Sequence, residues 1–358
     1  VSGTPTPLAV GKVRPPHQEY DVALLDLDGV VYVGPEAVPG VPEALAAVRA
    51  AGMRLGFVTN NASRTPEEVA GHLTVLGVPA SPAEVITSSQ AAATVVAQRL
   101  GAGARVLPVG GPGVAAALEA AGLTLVAGAE EEPLAVVQGY GRDVGWTQLA
   151  EAVVAVRNGA QHVATNADAT IPSPRGLLPG NGALVGVVSA VTGRRPLVTG
   201  KPDPTMHAEC VRRTAAHRPV VVGDRLDTDV EGGRRAGAAT LLVLSGVTDP
   251  ATLLAAGPDR RPDLLAPDAA GLLTAHPAVV AAGDGRWRCA GWTARSADGV
   301  LRLRRDSAEG PGSADGLDGL RALCVAHWTR HPEAVAPAEV TAEDEAAADA
   351  LRHWGLAS

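Results

Sequence analysis

The sequence predicts an α/β protein with a parallel-sheet core, a second α/β domain inserted into that core, and a small α+β domain near the C-terminal end. Three observations predict it. First, near-continuous apolar runs such as Val22-Ala23-Leu24-Leu25 and Pro219-Val220-Val221-Val222 alternate with helical patterns, as parallel strands buried on both faces do. Second, Thr59 and Lys201, each just after a strand-like run, stand 201 − 59 = 142 positions apart. A simple crossover needs only about 30 residues, so something domain-sized lies between. Third, beyond residue 283 the pattern changes to a hairpin followed by helices.

Taken in order, residues 1–17 are polar with scattered Pro and Gly and are expected to be disordered. The core is expected over 18–83 and 197–275, the insert over 84–196 and the last domain over 283–358. Strand 22–25 runs into Asp26-Leu27-Asp28-Gly29, and strand 54–58 into Thr59-Asn60-Asn61. Thr65, Pro66, Glu67 and Glu68 are helix-start residues, with Val69, Leu73 and Leu76 on one face and Gly77 as the stop. The insert carries its own strand-like runs at 105–109, 134–137 and 162–165. Gly200-Lys201-Pro202-Asp203-Pro204 then opens a helix, strand 219–222 ends in Gly223-Asp224, and 239–244 is a further strand. In the last domain, runs 287–293 and 300–304 flank the turn pair Asp298-Gly299. One helix with Leu317, Leu320, Cys324 and Trp328 on a face follows, and another over 342–354 with Thr341 as cap and Gly355 as stop.

The bulk numbers bound the function. A chain of 358 residues, 46% hydrophobic and 19% charged, is ordinary globular material for two or three domains. A net charge of −8 argues against a nucleic-acid or membrane-surface binder. No apolar run has membrane length, and the start lacks the pattern of a secretory signal. Three widely spaced cysteines suit neither a disulfide framework nor a zinc site, so a reducing cytoplasm is the expected location.

Chemistry is concentrated where open α/β sheets place it, at the C-terminal ends of strands. Asp26 and Asp28 lie two positions apart and lean to one side of an extended chain. Two such carboxylates repel unless a cation or a proton separates them. Alone, this motif is also compatible with a capped turn or a calcium-like loop. Thr59 and Asn60 offer hydroxyl, amide and backbone donors, Lys201 a point charge for phosphate oxygens, and Asp224 a carboxylate for a hard cation. His327 and His331 have metal-like spacing, but Trp-Thr-Arg between them supplies no Glu, which favours a packed or solvated pair. Gly110-Gly111-Pro112-Gly113 has the character of a loop between strand and helix.

Together, Asp26-Leu27-Asp28-Gly29-Val30, Thr59-Asn60-Asn61, Gly200-Lys201-Pro202 and Gly223-Asp224-Arg225-Leu226-Asp227-Thr228-Asp229 resemble the haloacid dehalogenase superfamily of phosphatases. They are most similar to subfamily IIA, the branch of 4-nitrophenylphosphatase, pyridoxal phosphatase and phosphoglycolate phosphatase. Ala164-Thr165-Asn166-Ala167-Asp168 and Pro179-Gly180-Asn181-Gly182 match the cap domain of that branch. The resemblance implies a Rossmann-like core with an α/β cap, Mg2+ as cofactor, and a small phosphorylated metabolite as substrate. It implies Asp26 as nucleophile and Asp28 as general acid and base. Metal would be held by Asp26, the Asp28 backbone carbonyl and Asp224, with Asp229 supporting them from behind. Thr59, Asn60 and Lys201 would orient the phosphate. Asn166 and Asp168 are the candidates for leaving-group contacts, or else form a structural turn.

The last domain narrows the resemblance to actinobacterial glycerol 3-phosphate phosphatases, whose extra domain is similar to an acetyltransferase fold and is thought to serve assembly. This implies hydrolysis of glycerol 3-phosphate, with phosphoglycolate, pyridoxal phosphate, nucleotides and aryl phosphates as alternatives, and a homo-oligomer formed through the cap or the last domain. A different class, a binding or assembly protein with a coenzyme A-binding tail, is disfavoured by the acidic turn 309–316, because such turns usually present basic groups and free amides to pyrophosphate.

Overall fold

The computed structural model describes residues 6–171, 173, 175–306, 313, 315–333, 335 and 338–356. The chain divides into two compact units, Val1–Leu55 with His217–Ser358, and Gly56–Ala216.

In the first unit, strand Val22–Leu25 pairs in parallel with Pro219–Gly223, which pairs with Ala239–Val243, which pairs with Leu264–Ala266. Leu25 stands opposite Val222, and Leu241 opposite Leu264. Their side chains are almost wholly buried, as continuous Val and Leu runs demand of a sheet covered on both faces. Arg54 N donates to Asp21 O, so strand Arg54–Thr59 starts beside this sheet and carries the chain into the second unit.

Residues 6–17, expected to be disordered, are instead held in place. Leu8 is 3% exposed and joins the cluster containing Leu242 and Val279, Lys12 and His276 exchange backbone hydrogen bonds, and a helical turn covers Pro16–Glu19. Composition cannot reveal a pairing with a segment so remote in the chain.

The segment 283–358 does not separate as its own unit. A five-stranded sheet runs Val280–Ala281, Arg286–Cys289, Trp292–Ala297, Val300–Arg305 and Glu339–Ala342, antiparallel except for the last pair. Asp298 (φ 53°) and Gly299 (φ 79°) form the two-residue hairpin turn. The run 287–293, expected as one strand, is two, because the chain turns at Ala290-Gly291. Helix Asp318–Arg330 is buried from Asp318 to Trp328, and Leu320, Leu323 and Trp328 share one cluster with Leu253 and Leu265 of the core. A helix needing cover all round cannot stand on its own sheet alone. Trp328 Nε1 donates to Leu254 O at 3.0 Å, and Arg261 donates to Pro332 O and His331 O. The last helix, Glu345–His353, is capped by Asp344, while the expected cap Thr341 lies in the edge strand.

In the second unit a parallel sheet has the order Leu197–Val198, Gln161–Ala164, Ala135–Gln138, Arg105–Val109, Thr124–Leu125. Helices Ser88–Leu100 and Pro112–Ala120 cover one face, and Trp146–Arg157 with Asn181–Thr192 cover the other. The unit is wider than the expected insert. Phe57–Thr59 pairs with Val85–Thr87, and helix Pro204–Thr214 packs on helix Ser88–Leu100. Helix Pro66–Val75 starts as expected, with Thr65 and Glu68 forming a reciprocal cap. Among the described residues, no helix is long and apolar enough to cross a membrane.

Candidate active site

Two clusters form, one in each unit. In the first, Asp26 N donates to Val222 O at 2.9 Å, which extends the ladder and sets Asp26 beside Gly223-Asp224. The next strand residues then stop pairing. Leu27 O accepts from Val30, Val31 and Tyr32, folding the loop back on itself. After Asp224, Asp229 N and Val230 N both donate to Arg225 O, making a wide π-helical turn over Leu226–Val230 that swings Asp229 back toward the strand end.

One carboxylate oxygen each from Asp26, Asp224 and Asp229 all lie within 4.8 Å of one another. Asp224 and Asp229 are each 1% exposed. Three like charges held this close with little water repel strongly. A divalent cation that prefers oxygen ligands is the group this donor set fits. The cradle is shaped by glycine. At Gly29 (φ +84°) an added Cβ would lie 2.3 Å from Asp224 Oδ2, and at Gly246 2.0 Å from the same atom. Val247 N donates to Asp224 Oδ2 at 2.7 Å, and Ser245 Oγ to Gly29 O at 2.6 Å. This 245–247 loop is part of the site that sequence reasoning missed, since nothing but a Ser-Gly pair after a strand marks it. Asp28 is exposed, and its carboxylate is not one of the three. Asp229, expected behind the ligands, brings a carboxylate oxygen within 4.8 Å of those of Asp26 and Asp224.

In the second unit, Thr59 and Lys201 are buried at the ends of their segments, and Thr59 Oγ1 accepts from Asn61 N at 3.0 Å. Asn60 was expected to offer its amide to phosphate. Its side chain is spent instead on Lys201: Oδ1 accepts from Lys201 N at 2.8 Å and Nδ2 donates to Lys201 O at 3.1 Å. Nδ2 also lies 3.4 Å from Asp168 Oδ2. Asn166, expected to touch the leaving group, is 3% exposed. Its Nδ2 donates to Asn60 O at 2.7 Å and its Oδ1 accepts from Asp168 N at 3.2 Å, so both amide atoms are engaged internally. Asp168 is half-buried on the same loop.

Among the described residues, the remaining candidates are placed as follows. Cys210, Cys289 and Cys324 are buried free thiols. Burial pushes Cys210 and Cys289 up to about 12 and Cys324 upward as well, which removes thiolate chemistry. His327 is buried with its ring 5.1 Å from that of His331, a packed pair. Of the acidic turn 309–316, residues 309–312 and 314 lie outside the described residues. Ser313 and Asp315 are engaged with Asp318 and Arg321.

Residues 23–124 match the haloacid dehalogenase-like hydrolases, residues 198–272 a HAD-hydrolase-like family and residues 289–356 a GCN5-related N-acetyltransferase like domain. The chain is 41% identical over 343 residues to the D-glycerol 3-phosphate phosphatase of Mycobacterium tuberculosis (strain ATCC 25618 / H37Rv), covering 95% of each chain. Crystal structures of the glycerol phosphate phosphatase of that organism, in complex with calcium and with magnesium, superimpose with TM-scores of 0.87 and 0.85 at 40% identity. They cover 96% of this chain and 99% of the other.

Proposed function

Because the chain belongs to the haloacid dehalogenase-like hydrolases, we propose that it is a magnesium-dependent phosphomonoesterase that hydrolyses glycerol 3-phosphate to glycerol and phosphate. The carboxylate triad carries the chemistry in this reading. Similarity along nearly the whole chain to a glycerol 3-phosphate phosphatase supports the substrate.

Asp26 attacks phosphorus as a carboxylate, the new O–P bond replaces the ester P–O bond, and Asp28 gives its proton to the departing alkoxide. Asp28 then takes a proton from water, which attacks the aspartyl-phosphate and frees Asp26 and phosphate. A bound magnesium ion withdraws charge from the phosphoryl oxygens and keeps its carboxylate ligands ionised. Asp224 and Asp229 complete the oxygen donor set with Asp26. Thr59 and Lys201 are assigned the phosphoryl oxygens, and Asn60 contributes by holding Lys201. Asp168 suits a polyol hydroxyl and would repel a second phosphate or carboxylate.

The test is magnesium-dependent phosphate release from glycerol 3-phosphate beside phosphoglycolate, pyridoxal phosphate, a nucleoside monophosphate and 4-nitrophenyl phosphate. Glycerol 3-phosphate is expected to be preferred, and Asp26→Asn to lose on the order of 10⁴-fold or more in kcat. Preference for an aromatic or second anionic ester removes the substrate assignment. Undiminished turnover by Asp26→Asn removes the mechanism.

A further inference from the structure

The second unit contains an unbroken hydrogen-bonded path that ends at Lys201. It starts at Asn181, the first residue of helix Asn181–Thr192, which is buried. Asn181 Nδ2 donates to Asn166 O at 2.9 Å and to Gln138 O at 3.2 Å. Asn166 Nδ2 donates to Asn60 O at 2.7 Å. Asn60 closes on the Lys201 peptide from both sides, accepting from its N and donating to its O. Each step joins segments remote in sequence, and each uses a side-chain amide as the bridge.

The backbone around the path leaves no slack. At Gly200 a Cβ would stand 2.3 Å from Thr165 O and 2.7 Å from Asn60 Oδ1. At Gly182 it would stand 2.3 Å from Ala167 O, and Gly182 N donates to Asp168 O at 2.9 Å. The loop carrying Asn166 and Asp168 is therefore pressed between the start of that helix and the Lys201 segment.

We propose that Asn166 and Asn181 are positioning residues which, acting through Asn60, set the place of Lys201 and so tune recognition of the phosphoryl group, while Asp168 on the same loop reads the leaving group. The inference rests on the assignment of Lys201 to the phosphate. Burial of the amides and their fixed geometry are what such a support needs, because a misplacement of about 1 Å at a reacting group costs on the order of 100-fold. Asparagine is required at both positions. It bridges two carbonyls or a carbonyl and an N–H, which no carboxylate of the same shape does.

The experiment uses the full chain with magnesium and compares wild type, Asn166→Ala, the isosteric Asn166→Asp, and Asn181→Ala. It reads orthovanadate inhibition and kcat/KM for glycerol 3-phosphate and 4-nitrophenyl phosphate, well below each melting temperature. Asn166→Ala and Asn166→Asp are expected to weaken vanadate about tenfold and to lower kcat/KM about 10- to 100-fold for both esters alike. Asn181→Ala is expected to follow in the same direction by a smaller factor. A change confined to the glycerol 3-phosphate rate with vanadate untouched makes Asn166 a leaving-group contact and overturns the proposal. A lowered melting temperature with vanadate affinity intact makes the path merely structural and also overturns it. If Asn166→Ala does not fold, Asn181→Ala decides by the same readouts. Wild type that neither binds vanadate nor releases phosphate sinks the phosphatase assignment itself, an outcome distinct from wild-type activity with unaffected variants.

Discussion

Two clusters of charge in the first unit are built on opposite plans. At the strand ends, Asp26, Asp224 and Asp229 bring three like charges within 4.8 Å. In the C-terminal segment, Arg321, itself 1% exposed, meets charges of the other sign. Its guanidinium donates to Asp315 at 2.5 and 3.0 Å, to Asp318 at 3.2 Å and to Leu265 O at 2.5 Å. Burial pushes the Asp315 carboxyl up, but its hydrogen bonds and proximity to Arg321 outweigh that and hold it below the usual carboxylate range. The difference teaches that burial of charge does not by itself mark a site. A cluster of opposite charges staples helix Asp318–Arg330 to the core, and a cluster of like charges is a donor set that fits a divalent cation.

The largest effect that would break this comparison is on the staple. Arg321→Leu leaves buried carboxylates without their cation and is expected to cost about 3–5 kcal/mol in urea unfolding. Adding Asp315→Asn and Asp318→Leu should recover part of that loss, because the orphaned charges are then gone. A loss below about 1 kcal/mol for Arg321→Leu would mean that the pair is not holding the segment down.

A third kind of buried polar group sharpens the contrast. His162 in the second unit has a neutral partner, donating from Nε2 to Gln138 Oε1 at 3.0 Å. Burial pushes it down to about 4 from an ordinary 6.5. Its folded-state value lies below the unfolded one, so the stabilising contribution is complete above about pH 6.5 and is lost as the pH falls toward 4. The lowering from 6.5 to about 4 corresponds to about 3 kcal/mol across that window. His162→Gln is expected to flatten the pH dependence of unfolding over this range, and an unchanged slope would show that His162 is accessible to protons in the folded state.

The smallest effect has the opposite sign to the first. Asp229→Asn removes one of three repelling charges and is expected to raise stability without metal by about 1 kcal/mol. The same change should shrink the rise in melting temperature that magnesium produces in wild type. Melting curves with magnesium and with chelator test both halves. Lower stability in chelator would mean that Asp229 serves mainly to hold the turn at Arg225 N, which it accepts from at 3.2 Å.

Much of the site is legible in the sequence, for a reason that particular residues make plain. Asp26 and Asp224 directly follow apolar runs that can only be buried strands, and parallel strands deliver their C-terminal ends to one edge. Thr59 likewise ends strand Arg54–Thr59, whereas Lys201 follows strand Leu197–Val198 of the second unit's own sheet, and helix Pro66–Val75 announces itself through Thr65 and Glu68. The place of Asp229 beside Asp26 and Asp224 is not legible, because it depends on a π-helical turn that no periodicity signals. Nor are the partners of Asn60 and Asn166, whose side chains bond Lys201, Asn60 O and Asp168 N. Lys201 lies 141 positions from Asn60, and Asn166 lies 106.

What the sequence determined by itself is therefore the local grammar: buried strands, helix starts, and the residues left at strand ends. Local chemistry suffices there, since burial period, caps and turn residues act over a few positions. Tertiary structure alone decided which polar groups face each other. It also decided that residues 6–17 and helix Asp318–Arg330 pack on the core, with Leu8, Leu242, Leu265 and Trp328 in one cluster. Those outcomes depend on contacts between segments far apart in the chain, and the free energy of such contacts is set by shape and distance in the folded protein.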